Sequence, residues 1–326
     1  MATGDPVLYV CSTGGHLDEL VRLAPRLTPP AGGEEWVTFD SVQSRRRLAG
    51  RTAHFIPPIE PKDLGAAVRA LPRAHKLLRA RSYARVVSTG AAVAVPFSLA
   101  ARTRGLGVHY FESCCRRRGP SLTGRMIAGL PGVRLYTQHQ AWAGPRWQYR
   151  GSVLDGYAAD SLPVGTGRTS LNRVLVTFGT QRGFPFRRAA ERLAAVLPAV
   201  LAPDAEVLWQ TGWTYVADLG IDGVELVPPD DLAAAAADAD VVIGHAGLGS
   251  ALLALDAGRC PVLLPRRVHR GEHTDDHQLQ LAEDLDRRGL AVARDAGKVT
   301  ADDLLHAATL RAVPLPTPAP VELQPG

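Results

Sequence analysis

Residues 244–282, GHAGLGSALLALDAGRCPVLLPRRVHRGEHTDDHQLQLA, decide the fold class of this chain. An apolar run at 241–243 predicts a buried strand, and a glycine-spaced turn at 245–250 follows it. An Ala- and Leu-rich helix, a second strand at 261–265 and a polar loop complete a strand–turn–helix–strand unit. Open α/β sheets bind ligands at the carboxyl ends of their strands, so the turn and the polar loop form a candidate ligand site.

The same alternation of strand and helix runs along the whole chain and predicts two doubly wound, Rossmann-like α/β domains. Strands are expected at 7–10, 36–39, 53–56, 85–88, 108–111, 133–136, 173–178, 205–209 and 224–227. A stretch rich in Gly, Ser, Pro and Asp at 158–172 predicts a linker between a first domain at 1–157 and a second at 173–312. Residues 313–326 contain five prolines and are predicted to be a disordered tail.

Charge is divided unevenly between the two halves. Residues 1–160 contain 22 Lys and Arg against 11 Asp and Glu, a net charge of +11, whereas the remainder carries −6. This asymmetry predicts an anionic partner for the first half. Because few aromatic residues are interleaved with these charges, a nucleic-acid partner is not expected. No run of about 20 uncharged apolar residues predicts a membrane-spanning helix, and the four cysteines fit a reduced, cytosolic protein.

A predicted helix at 64–83 is basic on one side. Its apolar residues include Val68, and Pro72 predicts a kink or a break. The helix is either an ordinary surface helix or one that rests on an anionic membrane. Its basic residues are Arg69, Arg73, Lys76, Arg79 and Arg81.

The first strand runs into a turn that contains Gly14, Gly15 and His16. Free backbone N–H groups and the dipole of the following helix both favour an anion at such a turn. A plain strand-to-helix connection is the alternative interpretation. The turn is therefore a candidate site for an acceptor phosphate.

Glu112 follows a predicted buried strand and precedes a basic, hydroxyl-bearing loop with Arg116, Ser121 and Thr123. An acid at this position can act as a general base beside an anion site. It can equally form an ion pair with an arginine in a surface loop. The sequence leaves both interpretations open.

The second half resembles the carboxyl-terminal domain of glycosyltransferase family 28, the MurG type. The family's His-Ala-Gly-x-x-Ser/Thr and Asp-x-x-Gln patterns match this chain, and further turns match the donor half of the dolichol-pathway UDP-N-acetylglucosamine transferase. The resemblance implies that the donor-binding residues are Gly179, Thr180, Gln210, His245, Gly247, Gly249, Ser250, Asp275, His277 and Gln278.

The first half resembles the membrane-associated acceptor subunit of that same transferase, and bacterial exopolysaccharide glycosyltransferases divide the two halves between two chains. This chain resembles their fusion. The match rests on the Gly14–Gly15–His16 turn, on Glu112 with Arg116, and on the segment from Ser121 to Arg125 that includes Thr123.

The resemblance implies a GT-B fold, two Rossmann-like domains facing a cleft. It also implies inverting transfer of a sugar from a UDP-sugar to a lipid-linked, polyprenyl-diphosphate saccharide, with neither a bound metal nor another cofactor. Glu112 is the preferred catalytic base over His16, which is expected to hold an acceptor phosphate. The enzyme is expected at the cytoplasmic face of the plasma membrane, in peripheral contact with anionic lipid.

One position departs from the family pattern. The family has a ribose-binding Glu three residues after the Ser/Thr, where this chain has Leu253, and Asp256 is the nearest acid on the same predicted helix. Two alternatives therefore remain open. One is a UDP-sugar 2-epimerase of the same fold, and the other is a non-catalytic partner that binds a nucleotide-sugar.

Overall fold

The computed structural model describes residues 4–27, 32–60, 63–161, 168–180 and 183–324. The chain divides into two compact units. Unit 1 consists of residues 1–155 together with 318–326, and unit 2 consists of residues 156–317. Each unit is built on its own parallel sheet with helices, which confirms the predicted α/β class.

Unit 1 is a seven-stranded parallel sheet in the order β3-β2-β1-β4-β5-β6-β7. Its strands are short and apolar because both faces are covered, as parallel sheets require. The strands are β1 (Val7–Cys11), β2 (Glu34–Phe39), β3 (Ala53–Ile56), β4 (Arg85–Gly90), β5 (Gly107–Phe111), β6 (Val133–Thr137) and β7 (Trp147–Tyr149). The helices are α1 (Gly15–Leu23), α2 (Val42–Arg47), α3 (Leu64–Ala80), α4 (Ala94–Arg102) and α5 (Leu122–Ala128).

Unit 2 has a six-stranded parallel sheet in the order β11-β10-β9-β12-β13-β14, and β8 pairs with β15 as a separate antiparallel ribbon. The strands are β8 (Tyr157–Ser161), β9 (Leu171–Thr177), β10 (Leu201–Gln210), β11 (Gly223–Val224), β12 (Val241–His245), β13 (Val262–Leu264), β14 (Val292–Ala293) and β15 (Leu310–Pro314). The helices are α6 (Arg187–Val196), α7 (Pro229–Asp238), α8 (Leu248–Asp256), α9 (His277–Arg287) and α10 (Ala301–Thr309).

Six short 3₁₀ segments complete the described secondary structure. They connect the longer elements and include the chain crossing from one unit to the other. They are Ala24–Arg26, Gln140–Trp142, Val153–Gly156, Leu197–Ala199, Ala217–Leu219 and Val268–Arg270.

The expected strands all occur, but the linker and tail differ from expectation. The unit boundary falls after Asp155, and β8 occupies the start of the predicted linker, of which residues 162–167 lie outside the described residues. The predicted disordered tail is wrong for residues 313–324. Val321 is buried and its N–H donates to the carbonyl oxygen of Arg26 (2.8 Å), and β15 extends to Pro314. Isolated extended segments have no periodicity that composition can reveal.

The basic helix α3 also departs from expectation. It runs without interruption through Pro72, so the predicted break does not occur. Its buried side consists of Ala67, Ala74 and Leu78, which are spaced along one helical face, whereas Val68 is 68% exposed.

Candidate functional site

In unit 1, the carboxyl ends of β1, β4, β5 and β6 lie along one edge of the sheet because these strands are parallel. The turn after β1 adopts a positive φ of 72° at Gly14, a conformation that glycine reaches without strain. Gly14 caps α1, and no side chain hydrogen-bonds to the first turn. The backbone N–H groups that begin with Gly15 are thus available to an anion at this edge.

His16 is held at this edge by the end of β4. Its Nδ1 lies 2.8 Å from the carbonyl oxygen of Thr89, and the Thr89 hydroxyl donates to the carbonyl oxygen of His16 (2.8 Å). Nδ1 therefore carries the proton in the neutral ring, which leaves Nε2 as the basic nitrogen. A Cβ on Gly90 would lie 2.9 Å from the Tyr110 hydroxyl and 3.4 Å from the ring, so the end of β4 packs closely against both side chains. One third of the His16 side chain is exposed.

Glu112 is brought to the same edge, but it is buried at 1% exposure. Its Oε2 accepts hydrogen bonds from the N–H (2.9 Å) and the hydroxyl (3.0 Å) of Ser121, while Oε1 accepts one from the N–H of Ser113 (3.3 Å). Burial raises the pKa of Glu112. A Cβ at Gly124 would overlap the carboxylate, so Gly124 makes room for it. The carboxylate thus anchors the N-terminus of α5, a position that helix dipoles favour for an anion.

The remaining predicted acceptor residues lie close to this anchor. Ser121 is the N-cap of α5 and its hydroxyl accepts from the N–H of Gly124 (3.0 Å), so it is engaged within the protein. Thr123 lies in the first turn of α5 and is half-buried. Arg116 is also half-buried, and its charge lowers the pKa of Glu112.

Glu19 is a residue of this edge that the sequence analysis missed. It is fully buried, and its Oε1 accepts hydrogen bonds from the N–H of Cys114 (2.6 Å) and from the side chain of Gln138. Gln138 also donates to the carbonyl oxygen of Glu112 (3.1 Å), so it links the two acids. The signal was the His16–Glu19 spacing of three, which puts both side chains on one face of a helix.

In unit 2, three turns at the carboxyl ends of β9, β10 and β12 converge on the ring of His245. A Cβ on Gly179 would lie 2.5 Å from the ring, and a Cβ on Gly247 would overlap it. A Cβ on Gly212 would overlap the carbonyl oxygen of Gly179, so these backbones are in close contact. The Ser250 hydroxyl lies 3.2 Å from His245 Nδ1. His245 thus fills the space between glycine turns.

Burial lowers the pKa of His245 well below its ordinary value, and the charge of Arg266 lowers it further. The ring is therefore neutral at physiological pH. Helix α8 starts directly after Gly247 without a side-chain cap, and Gly249 lies in its first turn. The N–H groups of this helix start are the type of group that favours an anion, so anion binding here stays a prediction.

Two predicted donor residues flank this centre in different ways. Gln210 is buried, with its amide donating to the Thr177 hydroxyl (2.8 Å) and accepting from the N–H of Val227 (3.0 Å). Its side chain therefore braces the end of β10. Thr180 is exposed beside Gly179, and the neighbouring residue 181 lies outside the described residues.

The polar loop before α9 and the first turn of α9 contain the other predicted donor residues. Asp275 accepts a short hydrogen bond from the ring of His277, and Gln278 is buried with its carbonyl accepting from the N–H of Arg266 (3.1 Å). His273 packs against His277 and stacks on Phe184. Side-chain atoms of His273, Asp275 and His277 that could bind a metal ion lie within 4.8 Å of one another. Burial lowers the pKa of His273 to about 4, so its ring is neutral.

Arg266 is the second residue that the sequence analysis missed. It is 2% exposed, and its Nη2 donates to the carbonyl oxygen of Phe178 (2.9 Å) directly before Gly179. Its Nε and Nη1 are buried without a hydrogen-bond partner among the described residues, and the guanidinium lies over the Phe186 ring. Burial lowers its pKa to about 10, which still leaves it charged. An arginine among many arginines gave no sequence signal.

Leu253 and Asp256 lie on α8 but not in equivalent surroundings. Leu253 is partly buried and packs against the apolar cluster that includes Leu175 and Val242. Asp256 is exposed and accepts a hydrogen bond from the Tyr157 hydroxyl on β8. Asp256 is therefore engaged by the antiparallel ribbon.

Residues 173–304 match the glycosyltransferase family 28 C-terminal domain. A UDP-N-acetylglucosamine–N-acetylmuramyl-(pentapeptide) pyrophosphoryl-undecaprenol N-acetylglucosamine transferase from Sorangium cellulosum is 30% identical over 321 residues, which cover 88% of this chain and 75% of that protein.

Solved structures agree with this at the level of fold. Acinetobacter baumannii MurG is 19% identical with a TM-score of 0.60, covering 92% of this chain and 89% of its own. A Listeria monocytogenes protein described as a UDP-N-acetylglucosamine 2-epimerase is 13% identical with a TM-score of 0.56, covering 93% and 92%. Within the described part of the chain, no helix combines the length and apolar character needed to cross a membrane.

The sequence identity over most of the chain, the family match in unit 2 and the two parallel sheets lead to one assignment. The chain belongs to the MurG-type glycosyltransferases of family 28, with the two Rossmann-like domains of the GT-B fold.

Proposed function

We propose that this chain is an inverting, metal-independent glycosyltransferase that moves a sugar from a UDP-sugar to a polyprenyl-diphosphate-linked saccharide. The observation that carries the proposal is the buried Arg266 beside the glycine turns at Gly179 and Gly247, because its Nε and Nη1 have no hydrogen-bond partner among the described residues and Glu272 acts on it only through its charge. A buried cation without an ion-pair partner is costly, and an anionic ligand such as a diphosphate would compensate it.

In this proposal, unit 2 binds the donor. The N-terminus of α8 and the Arg266 charge stabilise the negative charge that grows on the leaving UDP, which is the role that a metal ion plays in other transferases. Asp275, in the loop before α9, and His277, the first residue of α9, are both half-buried and would bond sugar hydroxyls. The names of relatives that use UDP-N-acetylglucosamine favour a UDP-sugar.

Unit 1 supplies the acceptor side. The acceptor hydroxyl attacks the anomeric carbon and forms the new C–O bond, its proton passes to Nε2 of His16, and the electron pair of the old C–O bond leaves with UDP. His16 is preferred to Glu112 as the base because the carboxylate of Glu112 already accepts three hydrogen bonds. The N-terminus of α1 is the proposed contact for an acceptor phosphate.

A lipid-linked acceptor implies contact with a membrane surface. Helix α4 packs against both α3 and α5 in unit 1. Exposed apolar side chains on these helices, including Val68 on α3 and Leu122 and Met126 on α5, stand among exposed arginines such as Arg125. Apolar side chains ringed by basic ones fit peripheral attachment to anionic lipid at the cytoplasmic face. A role in exopolysaccharide synthesis is the corresponding cellular proposal.

The test is a donor panel. Purified protein with each UDP-sugar and a membrane extract that supplies lipid-linked acceptors is expected to release UDP from one donor. Release should require the acceptor and should continue in the presence of EDTA. Loss of release in EDTA would indicate that a metal ion is needed, for which His273, Asp275 and His277 are the candidate ligands. NMR of the product should show an inverted anomeric configuration. Conversion of a donor without acceptor would instead support the epimerase. Tight UDP binding without turnover would support a non-catalytic partner.

A further inference from the structure

Two side chains of α1 lie one turn apart and face each other at the active edge of unit 1. Nδ1 of His16 is 3.9 Å from Oε2 of Glu19. The spacing of three residues places both on the same face of the helix. The backbone of β4 fixes the ring from the other side through Thr89. His16 is partly exposed and Glu19 is fully buried, so any effect of Glu19 on a substrate must pass through the ring.

The two carboxylate oxygens of Glu19 differ in their hydrogen bonds. Oε1 accepts hydrogen bonds from Cys114 and Gln138, whereas Oε2, the oxygen that faces His16, has no hydrogen-bond partner in the described part of the chain. A buried carboxylate oxygen without a donor costs free energy, and native proteins rarely leave one without a reason. The oxygen turned toward the histidine is therefore the exception that needs an explanation.

Glu112 provides the contrast within the same edge. Each of its oxygens accepts at least one hydrogen bond, and all three donors belong to Ser113 and Ser121. That arrangement explains Glu112 by the anchoring of α5 alone. The Ser113 hydroxyl and the Cys114 thiol also act on the Glu19 carboxylate and lower its pKa, but the ion pair of its second oxygen is with His16.

We propose that Glu19 is the positioning residue of the proton-transfer site, where its carboxylate stabilises the imidazolium that forms when His16 takes the proton of the acceptor hydroxyl. This inference rests on the proposed function, in which Nε2 of His16 is the base. The proton enters at Nε2, Nδ1–H stays bonded to Thr89, and Glu19 supplies negative charge without itself receiving the proton.

Among the described groups around Glu19, His16 is the one that can form an ion pair with it. The titratable groups that interact with Glu19 from other elements are Cys11 on β1, Tyr110 on β5 and Cys114 after β5, and Gln138 links Glu19 to the backbone of Glu112. Burial raises the pKa of both thiols and of the tyrosine hydroxyl, which stay neutral. Among the described residues, His16 forms the ion pair recorded for Glu19.

Burial also raises the pKa of Glu19 to about 7. Glu19 therefore changes charge near neutrality, and a carboxyl group that interacts with a neighbouring imidazole titrates together with it as a coupled pair.

The experiment compares Glu19→Gln with Asp18→Asn, both in the otherwise intact protein. Gln keeps the shape and can still accept from Cys114 and Gln138. Asp18 is the neighbouring acid, paired with Arg22 (4.0 Å) and Arg47 (3.3 Å), so its replacement removes the same charge from another face of α1.

Glu19→Gln should lower kcat by about ten- to a hundred-fold with little change in KM, and the acidic limb of the pH–rate profile should move down by about one pH unit. Asp18→Asn should change neither. The shift follows because loss of the negative charge makes the imidazolium less stable. Equal kcat and an unmoved limb in Glu19→Gln would overturn the inference while leaving the transferase function intact.

NMR titration of the His16 ring gives a second readout that needs no activity. Wild type should show two coupled steps near neutrality, and Glu19→Gln should show one step at lower pH. A single step in wild type, unchanged by Glu19→Gln, would refute the pairing. Inactive wild type with coupled titration would count against the proposed function but not against the pairing.

Discussion

His16 and His245 both lie at a strand-to-helix connection, one in each unit, and have opposite surroundings. Each lies where a central parallel strand meets a glycine turn and a helix without a side-chain cap. His16 is partly exposed beside the acidic Glu19, whereas His245 is enclosed by the backbones of Gly179 and Gly247.

The difference shows that two histidines at strand-to-helix connections need not share a role. A histidine that faces a carboxylate and solvent can gain a proton during a reaction. A histidine buried between glycine turns and beside Arg266 stays neutral and sets the spacing of the loops. In the proposed mechanism, Arg266 therefore supplies the buried positive charge of unit 2, and His16 takes up the proton in unit 1.

The largest effect that tests this contrast is expected from His16→Asn. Loss of the base should reduce kcat by about a thousand-fold, because general base catalysis typically contributes that much. UDP binding, measured by calorimetry, should stay within about two-fold of wild type. Retention of more than a tenth of wild-type kcat would contradict the role of His16 as the base.

Arg266→Met should give the next largest effect. Removing the charge should weaken UDP binding by about thirty-fold, since charge-assisted bonds to a phosphate contribute roughly 2 kcal/mol. The thermal midpoint should change little, because the variant loses one hydrogen bond, to the carbonyl oxygen of Phe178, but also removes a buried charge. Arg270→Met, an exposed charge in the same loop, is the matched control. Equal UDP affinities for both variants would place the diphosphate elsewhere.

Gly247→Ala examines the packing around His245. Its φ of −81° suits alanine, so the expected loss of about 1–2 kcal/mol of stability comes from overlap with the ring alone. The double variant Gly247→Ala/His245→Ala should recover most of that loss in thermal unfolding. Gly144→Ala, where a Cβ meets nothing within 4 Å, is the control. Absence of recovery in the double variant would mean that the ring is not what the glycine accommodates.

The pH dependence of stability is the smallest effect, and its sign differs between the units. The pKa of Glu19 is raised to about 7, so the native state binds its proton more tightly and unit 1 loses stability as pH rises from about 4.5 to 7. The pKa of His245 is lowered, so unit 2 loses stability as pH falls below about 6.5.

Thermal unfolding of Glu19→Gln and His245→Asn between pH 5 and 8 measures these two contributions against wild type. Each difference curve should have a slope of at most about 1.4 kcal/mol per pH unit, negative for the Glu19 contribution and positive for the His245 contribution. Slopes of the same sign would show that the two sites are not electrostatic opposites.

Local sequence signals predicted much of the fold. The buried valine runs of β1, β4 and β12 and the glycines after them identify strands and turns because a parallel strand covered on both faces must be apolar. The same signals failed for β8, β15 and the segment around Val321. These are short extended pieces whose partners lie far away in sequence, so their pairing is not a local property.

The site residues, like the strands, include some that the sequence indicated and some that it missed. Glycine spacing indicated the loops at Gly14 and Gly247, and the resemblance to family 28 identified the residue types around them. The resemblance favoured Glu112 over His16 as the base, and we propose the reverse order, because the ranking depends on how many donors surround each group. Glu19 and Arg266 were missed because a buried charge looks like any surface charge until its neighbours are known.

The sequence by itself determined two α/β units, the positions of most of their strands along the chain, and the turns predicted to carry ligand sites. These follow from apolar periodicity and glycine placement. Only the tertiary structure decided which charges are buried without partners and which histidine can exchange a proton. Burial and hydrogen bonding set those properties, and both arise where distant segments meet at the carboxyl edge of each sheet.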